Sequence, residues 1–410
     1  MDPSLATGQW DALRELLRRV CTGSSLHARR LRSLRVESIC SLEEFREVVP
    51  FLTKGDLLAD QEAFPPDGTN PTAPADRYLR FSQTSGTSGR SLRVWDSHES
   101  WDWLLENWNT GYEWAGVCSG VTAYFAFSFG PFLGFWTAFE SAVRRGVRAV
   151  PGGGLTTRAR VHAIWDHGAS VLCCTPSYAL HLAEAGQREG LDFSRSPVRK
   201  ILVAGEPGGS IAEVRARLER EWRGAEVLDH YGMTEAGPVA FAVSKRPSGL
   251  RVLEDRYFVE ILEPNGANHV DEGGLGELVL TPLGRSDWPL LRYRTGDLVQ
   301  ARRDTDGKLW FEGGVLGRVD DMRVIRGVNV YPSAVEAIVR SVNEVGEYRV
   351  LISSRGAMAE MALDVEADAS VAMEVQRVLE TRLGLRIPVR SVAPGALPRF
   401  EFKSKRWETL

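Results

Sequence analysis

The first residues suited to chemistry form a run rich in glycine and hydroxyl groups. The run follows the apolar lead-in 78–81 and consists of Thr84, Ser85, Gly86, Thr87, Ser88 and Gly89. Glycines let the backbone curl and expose its N–H groups, while the hydroxyls add donors of similar reach, which suits the oxygens of a nucleotide triphosphate. No Lys-Ser or Lys-Thr pair follows Gly89, so the run is not a G-x-x-x-x-G-K-[ST] loop. Taken alone, it fits an ordinary surface loop equally well.

A turn after a predicted buried strand is the second candidate. The apolar run 200–203 predicts a strand closed by glycine, and open α/β sheets bind ligands at the carboxyl ends of such strands. The turn residues are Ala204, Gly205, Glu206 and Pro207. They are therefore candidates for contacts with a nucleotide or its partner substrate.

A longer polar motif follows the next predicted helix. Its tyrosine offers a flat face to a base, its threonine a donor to phosphate, and its glutamate a hard carboxylate ligand for Mg²⁺. The motif is Asp229, His230, Tyr231, Gly232, Met233, Thr234 and Glu235. Each member also has an ordinary structural interpretation, such as a core tyrosine or a glutamate at a helix cap.

Two single residues complete the candidates. Asp297 stands beside Gly296, and a carboxylate at a turn can accept hydrogen bonds from both ribose hydroxyls. Lys403, near the C-terminus, offers a mobile cation. Singly, Asp297 is equally a turn former and Lys403 a surface charge. Only the occurrence of all these segments together, in this order, favours a nucleotide site.

The predicted elements place these residues in an α/β fold. Between 149 and 222, short apolar runs alternate with amphipathic helical patterns, which is typical of a mostly parallel sheet. From about 251, short strands with turns between them predict an antiparallel β subdomain. We place a boundary at Arg318 to Asp321, which gives a large domain 1–319 and a small, mobile α+β domain 320–410.

The composition excludes several classes of protein. The chain has 410 residues, enough for two domains, and its net charge of -4 lacks the basic surplus of a dedicated nucleic-acid binder. No apolar run reaches the ~18 residues of a membrane helix, and no secretory signal opens the chain. Its five cysteines are unpatterned. We therefore expect a soluble cytoplasmic protein with no nucleic-acid or membrane partner.

Together the motifs resemble those of the adenylate-forming superfamily of acyl-CoA synthetases, adenylation domains and luciferases. The run 84–89 is similar to its phosphate loop, 231–235 to its adenine and Mg²⁺ motif, 293–298 to its ribose motif, and 317–332 to its hinge. The phenylacetate-CoA ligase branch is the most similar. The stretches with that branch's character are PFLTKGDL (50–57), VLCCTPSYALHLAE (171–184), AGEP (204–207), GLRVLEDRYFVEIL (249–262) and GVNVYPSAVE (327–336).

The resemblance implies a two-step reaction that uses ATP, Mg²⁺ and a thiol, usually CoA. A carboxylate attacks the α-phosphate to give an acyl-adenylate and pyrophosphate, and the thiol then displaces AMP. It further implies that Lys403 bridges the carboxylate and the α-phosphate, and that Glu235 holds Mg²⁺. The small domain would then rotate about Asp320 and bring Gly327 to the thiol channel. Arg318 would contact the ribose or phosphate.

Two features depart from the family pattern. The residue before the lysine is usually glycine but here is Phe402, so Lys405 is a rival for the role of Lys403. Some relatives carry a zinc site after the Tyr-Gly motif. The matching positions here are Val243 and Arg251, which cannot bind zinc. We therefore predict no zinc.

An aromatic region is the candidate acyl site. Residues 95–139 hold half of the chain's 12 tryptophans. Such a stretch is more often core than pocket, but the turn 127–132 stands where the resembled family lines its acyl site. Aromatic walls favour a flat acid, so we predict an aryl or arylacetic acid with unspecified ring substituents. The predicted acyl-site residues are Tyr124, Phe129, Phe132, Ala204 and Gly205.

Three functions fit these residues. The first is an aryl-CoA ligase. The second keeps adenylation but transfers the acyl group to a carrier protein or an amine. The third is a non-catalytic nucleotide- or metabolite-binding protein. The retention of Lys403, Glu235 and Asp297 argues against this third function. Members of this branch often form homodimers, but the sequence shows no exposed apolar stripe, so the oligomeric state stays open.

Overall fold

The computed structural model describes residues 3–84, 90–246, 249–355, 358–400 and 404–410. Contacts divide the chain into two compact units. The first consists of Met1–Val121, Ser128–Ala149 and His230–Glu312, and the second of Thr122–Phe127, Val150–Asp229 and Gly313–Leu410. The second unit thus combines residues on both sides of the domain boundary predicted between 319 and 320. That boundary stays a prediction.

Helices begin where the sequence supplies caps. Thr53, Thr156 and Thr175 each accept an N–H of the following first turn through the side-chain oxygen, which satisfies a donor that lacks an intrahelical partner. The helices are α1 Pro3–Gly23, α2 Ser25–Arg30, α3 Leu42–Val48, α4 Lys54–Ala63, α5 His98–Trp114, α6 Leu133–Arg144, α7 Thr157–Asp166, α8 Pro176–Arg188, α9 Ala212–Glu221, α10 Pro332–Arg340 and α11 Ala369–Leu383.

Strands account for most of the remaining regular structure. They are β1 Tyr78–Gln83, β2 Arg93–Ser97, β3 Thr122–Phe125, β4 Arg148–Pro151, β5 Val171–Cys174, β6 Lys200–Val203, β7 Glu226–Met233, β8 Gly237–Phe241, β9 Leu250–Val252, β10 Tyr257–Leu262, β11 Leu275–Pro282, β12 Tyr293–Arg303, β13 Leu309–Arg318, β14 Arg323–Ile325, β15 Val328–Val330, β16 Tyr348–Arg355, β17 Met358–Glu366, β18 Val389–Val392 and β19 Trp407–Thr409.

The second unit contains the parallel strands. β3, β5, β6 and the start of β7 lie side by side in that order, all parallel. β3 and β5 are buried along their whole length, as expected for short apolar strands covered on both faces. Helices α7, α8 and α9 contribute Val161, Leu182 and Leu218 to the same core. The carboxyl ends of β6 and of this part of β7 therefore carry the turn at 204 and Asp229.

The first unit is built on antiparallel strands. β10 pairs with β11 and β11 with β12, while β8 pairs with β9 and with the end of β7. The apolar face of α1, including Leu13 and Leu17, packs with Phe258 and Leu291 from this β region. The N-terminal helix is thus part of the core that supports β10 and the segment before β12.

The C-terminal part of the second unit has its own sheet and core. The strand order is β15-β14-β17-β16-β19, with β18 pairing to β17. Val335 and Ile338 from α10 and Leu379 from α11 pack against Val350 and Leu363 of the sheet. β19 pairs with β16 in parallel, which ties the last residues of the chain to this sheet.

The predicted fold class is confirmed. The chain is α/β, with a mixed sheet that is parallel in the region 122–229, antiparallel strands from Leu250 onward, and a small α+β region at the C-terminus. One local expectation needs correction, because Asp297 lies within strand β12 and not beside a free turn. Gly296 has a φ of 75°, and the pairing of β11 with β12 shifts register nearby. The glycine therefore marks an irregularity inside a strand.

Among the described residues, no helix has the length and apolar character required to cross a membrane.

Candidate active site

The turn that carries Thr234 and Glu235 is held by a buried arginine. Arg285 donates from Nη1 to the carbonyl oxygens of Thr234 at 2.8 Å and Glu235 at 2.7 Å. Its Nε and Nη2 donate to the two carboxylate oxygens of Asp96 at 2.7 and 2.5 Å, and both side chains are 0% exposed. This bidentate pair fixes the plane of the guanidinium, which in turn fixes the two carbonyls.

Glu235 itself is buried and faces a cation. Lys54 Nζ lies 3.2 Å from its Oε1, and the Tyr293 hydroxyl donates to the same oxygen at 3.2 Å. Lys54 is the first residue of α4, and Thr53 and Asp56 form a capping box there. The backbone that presents Lys54 is therefore well defined. Sequence reasoning missed this lysine, although the Thr-Lys-Gly-Asp pattern is a recognisable helix start.

Tyr231 and Asp297 are brought together. The Tyr231 hydroxyl donates to Asp297 Oδ2 at 2.6 Å, and both residues are largely buried. The Asp297 backbone N–H donates to Thr295 Oγ1 at 3.0 Å, and the Tyr231 ring packs edge-on against Phe311. The predicted base-stacking tyrosine and the predicted ribose carboxylate thus belong to one hydrogen-bonded pair.

The two residues before Tyr231 have different surroundings. In the second unit, the Ser210 hydroxyl donates to Asp229 Oδ2 at 2.5 Å. In the first unit, the His230 ring lies 4.3 Å from Trp108 and 4.6 Å from Phe241, centroid to centroid. Burial lowers the pKa of His230 to about 3, so the imidazole is neutral at physiological pH. Its side chain lies in an aromatic core.

The turn after β6 presents a carboxylate to backbone donors. Gly205 has a φ of 93°, a conformation that favours glycine. Glu206 Oε1 accepts the N–H of Ser177 at 2.8 Å and also the Ser177 hydroxyl. Glu206 Oε2 accepts the N–H of Ser404 at 2.7 Å. Ala204 is partly buried, whereas Gly205 and Pro207 are exposed.

The predicted hinge residues lie in the second unit. Arg318 Nε donates to Asp320 Oδ1 at 2.9 Å across an exposed turn. Gly327 forms the turn between β14 and β15 with Arg326, at φ values of 84° and 48°, while Ile325 pairs with Val328. Positive φ at both central residues is typical of a type I′ hairpin turn. The roles of Arg318, Asp320 and Gly327 stay predictions.

Part of the predicted site falls outside the described residues. This applies to Ser85, Gly86, Thr87, Ser88 and Gly89 of the phosphate-loop run, and to Lys403. Thr84 is described and buried, and its Oγ1 accepts the N–H of Leu92 at 3.0 Å while its own N–H donates to the Leu92 carbonyl oxygen at 3.0 Å. These two bonds join the start of the run to Leu92, the residue that precedes β2. Lys405, the rival lysine, is exposed.

The predicted acyl-site aromatics have distinct environments. In the first unit, Phe129 packs edge-on against Trp136 at 5.1 Å and Phe139 at 5.2 Å, and the Phe132 ring centroid lies 6.2 Å from that of Phe135. In the second unit, Tyr124 is fully buried on β3, and burial raises the pKa of its hydroxyl to about 12. Within the described part of the chain, that hydroxyl has no hydrogen-bond partner.

Glu235 is the predicted metal ligand of this site. No cluster of three or more His, Cys, Asp or Glu side chains suited to a metal occurs among the described residues. Mg²⁺ is commonly held by one or two carboxylates together with substrate phosphates, so Glu235 alone fits such a site. Among the described residues, the contacts of the Glu235 carboxylate with Lys54 and Tyr293 fall on Oε1.

The chain belongs to the family of AMP-binding enzymes. The family model described as "AMP-binding enzyme" matches residues 25–281. A second model, described as "AMP-binding enzyme C-terminal domain", matches residues 327–408. The resemblance to adenylate-forming enzymes inferred from the motifs is confirmed.

The similar curated proteins include phenylacetate-coenzyme A ligases. The chain is 30% identical to that of Pseudomonas putida over 369 residues, which covers 87% of this chain and 82% of the relative. It is 29% identical to that of Escherichia coli strain K12 over 388 residues, covering 89% and 86%. The predicted similarity to the phenylacetate-CoA ligase branch is therefore confirmed.

Among solved structures, a 2-hydroxyisobutyryl-CoA ligase is similar at 27% identity. The structure of that ligase in the postadenylation state with 2-HIB-AMP matches this chain with a TM-score of 0.93, and the match covers 98% of this chain and 89% of the ligase. With 2-HIB-AMP and CoA in the thioesterification state, the TM-score is 0.76, covering 100% and 90%. This chain is therefore similar in fold to that ligase.

We predict that Arg285 stabilises the fold and also positions Glu235. Arg285→Met leaves Asp96 as a buried unpaired charge, so the free energy of unfolding should fall by about 3–5 kcal/mol. The double variant Asp96→Leu/Arg285→Met removes both charges and should recover much of that loss. It still lacks donors for the two carbonyls, so ATP–pyrophosphate exchange should stay impaired. Urea unfolding and exchange assays measure the two effects, and full activity in the double variant would contradict the positioning role.

Proposed function

We propose that this chain is an AMP-forming acid–thiol ligase that activates an aromatic carboxylic acid with ATP and transfers it to CoA. The observation that carries the proposal is the buried Glu235 carboxylate, which faces Lys54 and stands on a turn whose carbonyl oxygens are held by Arg285. Membership of the AMP-binding enzymes and similarity to CoA ligases support the same reaction. Because ATP and CoA are cytoplasmic metabolites, we place the reaction in the cytoplasm.

The pair Tyr231 and Asp297 is suited to the nucleoside half of ATP. A carboxylate has acceptor sites for several donors, so Asp297 can accept ribose hydroxyls while it accepts the Tyr231 hydroxyl. That hydrogen bond also restricts the orientation of the tyrosine ring. A base stacked on a pre-positioned ring loses less conformational entropy from the protein side than one stacked on a free side chain.

Glu235 and Lys54 are suited to the phosphate half. Glu235 would hold Mg²⁺, and the metal when bound supplies positive charge that offsets the charge of the phosphate oxygens. Lys54 lies beside the same carboxylate at 3.2 Å and adds a fixed cation. A buried carboxylate without a cation is costly, so Lys54 also stabilises Glu235 in the absence of nucleotide.

The chemistry proceeds in two balanced steps. In the first, a carboxylate oxygen of the acid forms a bond to the α-phosphorus, and the bond from that phosphorus to the bridging oxygen breaks, which releases pyrophosphate. In the second, the thiolate sulfur of CoA bonds to the acyl carbon, and the carbon–oxygen bond to AMP breaks. The thiol proton passes to solvent or to a base, and AMP leaves with the oxygen's electron pair.

The acid is the least determined part of the reaction. The edge-on cluster of Phe129, Trp136 and Phe139 favours a flat aromatic acid. A second candidate is a small hydroxy acid, favoured by the buried Tyr124 hydroxyl, which has no hydrogen-bond partner among the described residues. For the acceptor, CoA is favoured over a carrier protein or an amine because the two phenylacetate-coenzyme A ligases described above match most of this chain.

We expect aromatic acids to support ATP–pyrophosphate exchange. The measurement compares phenylacetate, benzoate and a hydroxybenzoate with 2-hydroxyisobutyrate and hexanoate at equal concentration. The same acids are then tested for thioester formation with CoA and with a phosphopantetheinylated carrier protein. Exchange with 2-hydroxyisobutyrate alone would move the assignment to the hydroxy acid. No exchange with any acid, in a protein that binds ATP, would favour the non-catalytic function.

The two C-terminal lysines are expected to differ. Lys403→Ala should lower adenylate formation by about 10³-fold, because a cation that offsets developing charge on the phosphate is lost. Thioester formation from a preformed acyl-adenylate should be nearly unchanged. Lys405→Ala is the matched control and should leave both half-reactions intact. The assignment of Lys403 is wrong if Lys405→Ala produces the selective loss instead.

Glu235→Gln tests the phosphate half of the site. The amide keeps the size of the side chain but removes its charge, so exchange should fall by about 10²-fold or more and should need a higher Mg²⁺ concentration for its half-maximal rate. Glu254→Gln is a matched control, because Glu254 is also a buried glutamate with a cationic partner, which in its case is Arg303. An unaltered Mg²⁺ dependence in Glu235→Gln would show that the metal is held elsewhere.

A further inference from the structure

Glu206 joins helix α8 to the segment that directly follows Lys403 in the sequence. Its Oε1 accepts the N–H of Ser177, the second residue of α8, at 2.8 Å and also the Ser177 hydroxyl. Its Oε2 accepts the N–H of Ser404 at 2.7 Å. Hydrogen bonds to a carboxylate are stronger than those to neutral acceptors. The helix dipole at the start of α8 further favours the negative charge.

The same segment is fixed on its other side by a buried arginine. Arg406 Nε and Nη2 donate to the Glu347 carboxylate at 2.7 and 3.1 Å, and Nη1 donates to Glu336 at 3.2 Å. The Arg406 Nη1 also donates to Ser404 Oγ at 3.1 Å. The backbone and the side chain of Ser404 are therefore both hydrogen-bonded. Lys405, which lies between Ser404 and Arg406 in the sequence, is exposed.

Three other contacts connect C-terminal residues to α8 or α9, and they differ from the Glu206 contact in the part of the C-terminal region that they reach. Arg399 pairs with Glu184 at 3.0 Å, Arg382 pairs with Glu213 at 3.3 Å, and Arg217 donates to the Val345 carbonyl oxygen at 2.6 Å. These three contacts attach other parts of the C-terminal region to α8 and α9. Of these contacts among the described residues, the one from Glu206 is made to Ser404, which directly follows Lys403 in the sequence.

We propose that Glu206 is a positioning residue for the adenylation half-reaction, acting through its hydrogen bond to the Ser404 backbone. The proposal rests on the proposed function, in which Lys403 serves the first step. Both carboxylate oxygens of Glu206 accept hydrogen bonds from protein donors, so this glutamate holds the backbone at Ser404. The bond to Ser404 breaks whenever the C-terminal segment leaves this position. Thioester formation in the displaced state therefore does not depend on Glu206.

The test is to measure the two half-reactions separately in Glu206→Gln. The amide retains one acceptor oxygen but presents an NH₂ donor to one of the two backbone N–H groups, so one charge-assisted bond is lost. ATP–pyrophosphate exchange should fall by about 10-fold or more. Thioester formation from a chemically prepared acyl-adenylate and CoA should stay within about two-fold of the wild type, and the urea midpoint should show that the variant is folded.

Matched variants separate positioning from general damage. Glu189→Gln changes a partly buried carboxylate at the other end of α8, paired with Arg158 at 2.7 Å, and should leave both half-reactions intact. Ser177→Ala removes only the hydroxyl donor and should lower exchange less than Glu206→Gln does. If Glu206→Gln does not fold, a selective loss of exchange in Ser177→Ala still supports the proposal, and its absence overturns it.

The failure of this proposal is distinguishable from failure of the proposed function. An inactive wild-type chain with every acid overturns the function itself. An active wild type whose Glu206→Gln variant loses both half-reactions equally, or neither, overturns the positioning role of Glu206 alone.

Discussion

The buried ion pair of Arg285 and Asp96 is the interaction on which the candidate site depends. Both side chains are withdrawn from water, and the arginine also donates to the carbonyls of Thr234 and Glu235. A charge pair of this kind stabilises the fold only when its geometry and remaining hydrogen bonds are complete. Nε and Nη2 of Arg285 donate to the Asp96 carboxylate, and Nη1 donates to the two carbonyl oxygens. The orientation of the Glu235 turn is thus coupled to the integrity of the core.

The predicted acidic residues share one kind of arrangement within each unit. Glu235 accepts from Tyr293 and faces Lys54, Asp297 accepts from Tyr231, and Glu206 accepts from backbone N–H groups. Each carboxylate is thereby held in one orientation before any ligand arrives. Such preorganisation lowers the reorganisation needed when charge develops during the reaction. The contacts also explain how acidic groups can be largely buried near the positions where phosphate is expected.

Much of the fold was predictable because its signals are local. The alternation of apolar runs with helical patterns indicated the parallel strands, and the Thr-Lys-Gly-Asp pattern that begins α4 is a standard helix start. The strand position of Asp297 was not predicted, because Gly296 read as a turn and lies instead at an irregularity within β12. Lys54 was missed as a site residue, since no local pattern relates it to Glu235.

The sequence by itself determined which residue types are available and in what order: a glycine-hydroxyl run, the Tyr231 to Glu235 motif, Asp297 and Lys403. These are properties of short stretches, so composition and spacing reveal them. Only the tertiary structure decided the partners, such as Tyr231 with Asp297 and Glu206 with Ser404. Those pairs are far apart in the chain, and their contact follows from the packing of whole strands and helices, which leaves no trace in local sequence.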